Sequence, residues 1–295
     1  MTAALDLSVH ASSSLPPSTR GATARQWLSG GMLAPAAVLV VLCVAAAAPD
    51  LLATHPPDAV DTAALLQPPG PEHWFGTDQL GRDVYSRVVY GTSYSLLIGL
   101  AATAIALVLG MAVGLLAALG PRGLDRLLVR GLDILLAFPE LLLALLVIAV
   151  MGPGPVNTAV AVGLAGVAGY ARLIRSQVLS VRLSGYVEAA VALGESPWRI
   201  VTSHIAPNSL RPVLVLATVG VGTSILSASS LSFLGLGVAP PTPEWGALLA
   251  DGRSFLGVAP WTSLFPATVV AAAVVSITLL GRRLQRVLAK GGTHG

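Results

Sequence analysis

The sequence predicts an all-α integral membrane protein with six transmembrane helices, and three observations carry that reading. The chain of 295 residues is 54% hydrophobic and only 11% charged, with a mean hydropathy of +0.78; an average soluble domain is about 25% charged. Apolar stretches approaching the ~20 residues of a membrane span recur six times along it. Its Lys and Arg residues are partitioned unequally between alternate connecting segments.

Residues 1–31 are rich in Ser, Thr and Pro and carry Arg20 and Arg25; they read as a disordered tail. Residues 32–52 are the first span, read as an uncleaved signal-anchor because the polar region before it is long and further spans follow. Residues 53–91 form a polar loop containing GTDQLGRDVYSRVVYG, Gly76 to Gly91. A turn there, capped at Thr77 or Asp78, leads into an amphipathic helix with Val84, Tyr85 and Val88 on its apolar side. Gly81, Arg82 and Asp83 do not make a phosphate cradle and are read as structural. Residues 92–281 hold the other five spans. The second is Tyr94 to Leu119, and a short basic loop with Arg122, Arg126 and Arg130 follows it. The third runs from Ile134 to Met151, entered through Phe138-Pro139-Glu140 and left through the turn Gly152 to Pro155. The fourth begins at Val156 and continues past Arg172 and Arg175. The fifth is Pro212 to Val238, the sixth is Trp261 to Gly281, and 282–295 are a basic tail. In the Pro-containing connection between the last two, Trp245 is expected as an interfacial anchor.

With the N-terminus inside, 14 of the 17 Lys and Arg fall on the cytoplasmic side, leaving Arg82, Arg87 and Arg253 outside. That places a multi-pass protein in the cell membrane, both termini cytoplasmic, and accounts for the net charge of +3 without a nucleic-acid partner. A single cysteine, Cys43, allows no internal disulfide, and the five histidines show no helical metal-ligand spacing.

Between the fourth and fifth spans lies a polar, amphipathic island, residues 182–210, RLSGYVEAAVALGESPWRIVTSHIAPNSL. Arg182, Glu188, Glu195, Arg199 and His204 would be costly in hydrocarbon, so the island lies outside the bilayer. Two short helices are expected. One runs from about Gly185 to Leu193, with Glu188 in its early turns, a smooth side at Ala189 and Ala190, and Gly194 as left-handed cap. The second starts at Ser196 as N-cap with Pro197 at the first position, carries Trp198, Val201 and Ile205 on one face, and stops at Pro207. Such a face suits docking into a groove on another protein, or lying on a lipid surface with no partner.

The order Glu188-Ala189-Ala190, Gly194, Ile205, Pro207 resembles the cytoplasmic "EAA" loop of ABC-importer permeases. YVEAAVALGESPWRI, HIAPN, GTDQLGRDVYSRVVYG and SLSFLGLGVAPPTPEWGALLADGR resemble the dipeptide, oligopeptide and nickel branch. Two departures are Ala206, where the family usually has Leu, and Arg282-Arg283, where an acidic and small pair is usual. The resemblance covers roughly residues 74–281 and implies a type I ABC-importer permease fold. It also implies that the loop is a coupling helix seated on an ATPase subunit. Glu188 and Arg199 would hold the loop's hydrogen bonds and charge pairs, Gly194 its turn, and Trp198 and Ile205 its docking face. The implied partners are a second homologous permease, two ABC ATPase subunits that carry ATP and Mg, and an extracytoplasmic substrate-binding protein. This chain would bind no cofactor itself.

Two features of the residues point the same way. The spans contain almost no ionisable residues away from their ends, whereas ion-coupled transporters usually place carboxylates, Lys or His near the midplane. No GxxxxGK[ST] motif is present for ATP hydrolysis, so the chain is not read as an enzyme. The fifth span is dense in small and polar residues, including Thr223, Ser224 and Ser227, which fit either a polar translocation path or close helix packing. The function expected is therefore the permease subunit of an ATP-driven importer of di- or oligopeptides, or of nickel. An ion-coupled secondary transporter and a non-transporting membrane scaffold are the alternatives.

Overall fold

The computed structural model describes residues 32–291, with side chains to residue 287. The expected tail 1–31 and the last four residues lie outside the described residues. Among the described residues the chain is helical and has no strand. Its helices are α1 (Leu33–Ala47), α2 (Val84–Leu119), α3 (Arg122–Leu136), α4 (Glu140–Met151), α5 (Pro155–Arg182), α6 (Gly185–Ala192), α7 (Pro197–Phe233), α8 (Trp245–Gly252) and α9 (Trp261–Gly291).

Four of these, α2, α5, α7 and α9, are each long and apolar enough to cross a membrane. The pair α3 and α4 can supply another crossing, and α1 is a shorter apolar helix of 15 residues. Large apolar side chains such as Val108, Leu146 and Val150 point outward. That arrangement suits lipid and closely packed neighbouring helices, because lipid tails compete with no apolar contact the way water does.

Helix α2 starts at Val84, after the expected cap and before the expected second span. Asp83, not Thr77 or Asp78, is its N-cap, and its carboxylate accepts the backbone N–H of Ser86 at 2.8 Å. The expected amphipathic helix and the second span are one element of 36 residues. At 1.5 Å per residue it is about 54 Å long, so its first turns project beyond a ~30 Å hydrocarbon layer.

The expected third span is broken. Pro139 has no N–H to give, and it disfavours helical backbone at Phe138. The chain turns by 92° there. The supposed basic loop before it is the amphipathic helix α3, laid across the end of α5. Arg175 holds Asp125 through two bonds, Nε–Oδ1 at 2.7 Å and Nη2–Oδ2 at 2.8 Å, and Arg172 pairs with Asp133. The two arginines expected at the end of the fourth span thus clamp α3 to α5.

Helices α2 and α5 run parallel, α7 antiparallel to both, and α9 packs on α7. One core cluster joins Ile98, Ala102, Ala144, Ile148, Val162, Ala228 and Leu231 from α2, α4, α5 and α7. Another joins Leu42, Ile225, Trp245, Val270 and Ala273, bringing α1, α8 and α9 into contact with α7. Helix α9 continues to Gly291, ten residues beyond the expected end of the sixth span.

Candidate functional site

The loop 182–210 is built on local signals. Helix α6 ends with Gly194 at φ +76°, a left-handed conformation that glycine adopts without a Cβ penalty. Gly194 N–H donates to Val191 O and Glu195 N–H to Ala190 O, closing the helix end. Ser196 then caps α7, its hydroxyl accepting Arg199 N–H, with Pro197 in the first turn.

Pro207 does not stop this helix. Residues Ile200–Ile205 form a π-helical stretch, and the helix runs on from Ala206 through Pro207 and Pro212 to Phe233. Widening the turn just before the proline accommodates a residue that has no N–H and a bulky ring. Asn208 Nδ2 donates to the His204 carbonyl at 2.7 Å, supplying a side-chain partner in the loosened turn. The loop's second helix and the fifth span are therefore one rod.

The loop has two faces. Val187, Ala190, Ile200 and Ile205 are buried with Ala118, Ile174, Val178 and Val213, at the ends of α2, α5 and the start of α7. Ile205, expected on the docking face, is 3% exposed and belongs to this inner layer. The outer face carries Leu193, 84% exposed, and Trp198, 77% exposed, with Leu183, Tyr186 and Val191 around them. Glu188 and Ala189 are exposed, as are Ser196, Arg199 and Pro207. The acid that organises the loop is Glu195, not Glu188: its Oε2 lies 3.2 Å from His204 Nε2 and 3.7 Å from Arg199 Nε. Glu188 has no ion-pair partner among the described residues. Arg182 ties the loop's entry to α2, donating to Ala118 O at 2.7 Å.

Midway along the bundle, α2, α4, α5 and α7 line an open cavity of about 300 Å³. Thr223 and Ser224 line it, with Glu140, Gly169, Tyr170 and Gly220. Ser227 does not, and Ser224 is also bonded by the Thr103 hydroxyl at 3.0 Å. At Gly220 an added Cβ would meet the Tyr170 hydroxyl, so a larger residue there would push the Tyr170 side chain aside. Glu140, which follows the helix break at Pro139, was not singled out from sequence. The break itself was its signal, because non-helical backbone at membrane depth is tolerated where it lines a cavity.

At the opposite end, the two sequence stretches 76–91 and 230–253 pack on each other. Asp78 Oδ2 receives Arg82 Nε at 2.7 Å and Arg87 Nη1 at 2.6 Å, and Asp251 lies 3.9 Å from both arginines. Burial pushes the Asp251 carboxyl up, against the opposing pull of Arg87 and Arg82. Glu244 caps α8, accepting Gly246 and Ala247 N–H, and also accepts the Ser95 hydroxyl. Trp245, expected at the membrane interface, is completely buried and donates from Nε1 to Val88 O at 3.1 Å.

Residues 106–292 match the family described as binding-protein-dependent transport system inner membrane component. Among curated proteins, the chain is 45% identical over 223 residues to a dipeptide transport system permease protein, DppC, of Alkalihalophilus pseudofirmus, covering 76% of this chain and 73% of that one. It is 41% identical to a probable D,D-dipeptide transport system permease protein, DdpC, of Escherichia coli (80% of each chain). A glutathione transport system permease protein, GsiD, of Pectobacterium atrosepticum is 38% identical over 85% of this chain and 83% of its own. Among solved structures, an inward-facing conformation of the MetNI methionine ABC transporter matches with TM-score 0.57 at 20% identity, over 68% of this chain and 95% of that one, and so shares the fold. The chain belongs to the binding-protein-dependent transport system inner membrane components: it is a multi-pass inner-membrane permease subunit of an ABC importer, a transport subunit rather than an enzyme, on the branch of the peptide permeases.

Proposed function

We propose that the outer face of loop 182–210 is the docking surface for an ABC ATPase subunit and that the cavity behind it belongs to the path of a peptide substrate. The observation that carries the first part is the pairing of the loop's faces. Leu193 and Trp198 present apolar surface outward, and the layer under them is packed onto the ends of three membrane helices. An exposed aromatic on a rigid seat is what a partner groove can grip and push. A free lipid-surface helix has no need of such a seat.

In this reading Glu188, Ala189, Ser196, Trp198, Arg199 and Pro207 face the ATPase. Ala190 and Ile205 key the loop to the bundle, and Gly194 sets the turn between the two helices. The continuity of α7 gives the mechanism a lever, since displacement at Trp198 is carried along one rod to Thr223 and Ser224. ATP and Mg are held by the partner ATPases, whose closure and hydrolysis alternate the access of the path. The partner chains are two ATPases, a second homologous permease that supplies the other half of the path, and an extracytoplasmic binding protein. The charge distribution supports a cytoplasmic loop and cytoplasmic termini. Di- or oligopeptides are the substrate class favoured by the names of the relatives, and the Glu140 carboxylate gives the cavity a group matched to a peptide ammonium; nickel is the other cargo of the branch.

The test is a detergent pull-down of the tagged chain, followed by mass spectrometry and an ATPase assay. Recovery of an ATPase and a second permease is expected. A chain that purifies alone from cells expressing its partners contradicts the reading.

A further inference from the structure

Three segments converge beside the start of α2. His55 follows α1, His73 sits in the loop, and Asp83 is the helix N-cap, so the grouping is invisible to any short spacing rule. The Asp83 side chain is 1% exposed, that of His73 16% and that of His55 40%. His73 Nδ1 lies 2.9 Å from Asp83 Oδ1, and His55 Nδ1 lies 3.9 Å from Asp83 Oδ2. The imidazole rings are 4.8 Å apart, and one ligand atom from each residue fits within 4.8 Å of the others.

The seat is fixed by neighbours. The backbone N–H groups of Thr54 and His55 both donate to Ser86 Oγ, at 3.1 and 3.0 Å, which pins His55 over the first turn of α2. Ser86 N–H donates to Asp83 Oδ2 and holds the carboxylate in place. A helix cap alone needs Asp83 and explains its bond with His73. Beyond the cap, a second imidazole stands beside the same buried carboxylate, its Nδ1 resting on the Thr54 hydroxyl at 3.0 Å.

We propose that His55, His73 and Asp83 bind a divalent transition-metal cation, with Zn²⁺ as the best match. Ligands about 2.0–2.2 Å from a tetrahedral zinc lie roughly 3.3–3.6 Å apart, so the 2.9 and 3.9 Å separations, which run to different oxygens of Asp83, need only small side-chain adjustments to close on one ion. Two imidazoles and one carboxylate suit zinc, and are a poor set for calcium or magnesium, which prefer all-oxygen shells. The half-exposed edge at His55 leaves the fourth position to water. On binding, His55 Nδ1 exchanges its 3.0 Å contact with the Thr54 hydroxyl for the metal, and Thr54 and Ser86 remain as the supporting shell. The ion staples the segments around residues 55 and 73 to α2, next to the Asp78–Arg87 pair.

The experiment uses the full chain in detergent, with an affinity tag free of histidine, stripped with chelator and titrated with Zn²⁺ alone by calorimetry. Co²⁺ absorption reports the coordination geometry. One Zn²⁺ per chain is expected, together with a rise in Tm. His55→Gln, His73→Gln and Asp83→Asn should each weaken binding at least about tenfold and abolish the Tm rise. Asn still caps a helix, so Asp83→Asn separates ligation from folding, and His55→Gln touches neither cap nor core if His73→Gln does not accumulate. Absence of stoichiometric binding to the wild-type chain overturns the proposal. So does binding that His55→Gln leaves unchanged, which would place the ion elsewhere.

Discussion

Arg87 Nη1 lies 2.6 Å from Asp78 Oδ2, and both side chains are buried, at 2% and 6% exposure. They lie nine residues apart in sequence, and Arg87 Nη2 also donates to Pro241 O across 154 residues. Asp78 also holds Arg82 Nε at 2.7 Å, so Arg87→Met leaves the carboxylate one close partner, whereas Asp78→Leu strands two buried guanidinium groups, and stranding a buried charge costs about 3–5 kcal/mol. Asp78→Leu should therefore lower the Tm of the purified chain much more than Arg87→Met. Equal losses in the two variants would show that Arg82 does not share the carboxylate.

Asp251 bears on the same network through pH. Burial raises its folded-state pKa above the usual carboxylate range, with Arg87 and Arg82 pulling against it. A carboxyl raised in the folded state favours folding while it is protonated. Its contribution is present below the unfolded value and is lost as pH rises through the folded one. Asp251→Asn should leave Tm at neutral pH unchanged or slightly higher, and should flatten the pH dependence of Tm in the mildly acidic range. A fall in Tm at neutral pH would mean that the arginines outweigh burial.

Glu195 and Glu188 should behave oppositely. Glu195 bridges His204 and Arg199, so Glu195→Ala frees both and should expose the loop to limited proteolysis. Glu188 is exposed and unpaired among the described residues, so Glu188→Ala should leave proteolysis unchanged and act only on coupling, read as substrate-stimulated ATPase activity.

For the path, Thr223→Leu and Ser224→Leu each place a larger apolar side chain in the cavity and should reduce uptake at least about tenfold with normal membrane levels. Ser227 lies outside the cavity lining, so Ser227→Leu should be much milder in the same transport assay. Equal loss in all three would point to general disruption of α7 packing.

Much of the loop was legible because its signals are local. Gly194 as left-handed cap and Ser196-Pro197 as helix start need only neighbours in sequence. What was missed depends on distant partners. Pro207 reads as a stop until the preceding turn widens into a π-helical stretch. Ile205 reads as outward-facing because an ideal helix puts it beside Trp198, and the added residue in the turn, together with the bundle beneath, brings it inside. Arg122 to Asp133 read as a loop by charge, because the acids that make it a helix on the bundle's flank find their arginines about forty to fifty residues later. Trp245 reads as a membrane anchor by type, and Val88 O, 157 residues away in sequence, is what draws it into the core.

In the proposed function, the ATPase grips this chain at Trp198. The most direct measurement attaches a photo-crosslinker to a cysteine introduced as Trp198→Cys, in a Cys43→Ser background that removes the one native thiol. The expected product, in membranes containing the partner subunits, is an adduct with the ATPase. Adding Gly194→Val should abolish it without lowering the membrane level of the chain, since valine is strained at φ +76°. Adducts with lipid alone, or an ATPase adduct indifferent to Gly194→Val, would contradict the assignment of this loop.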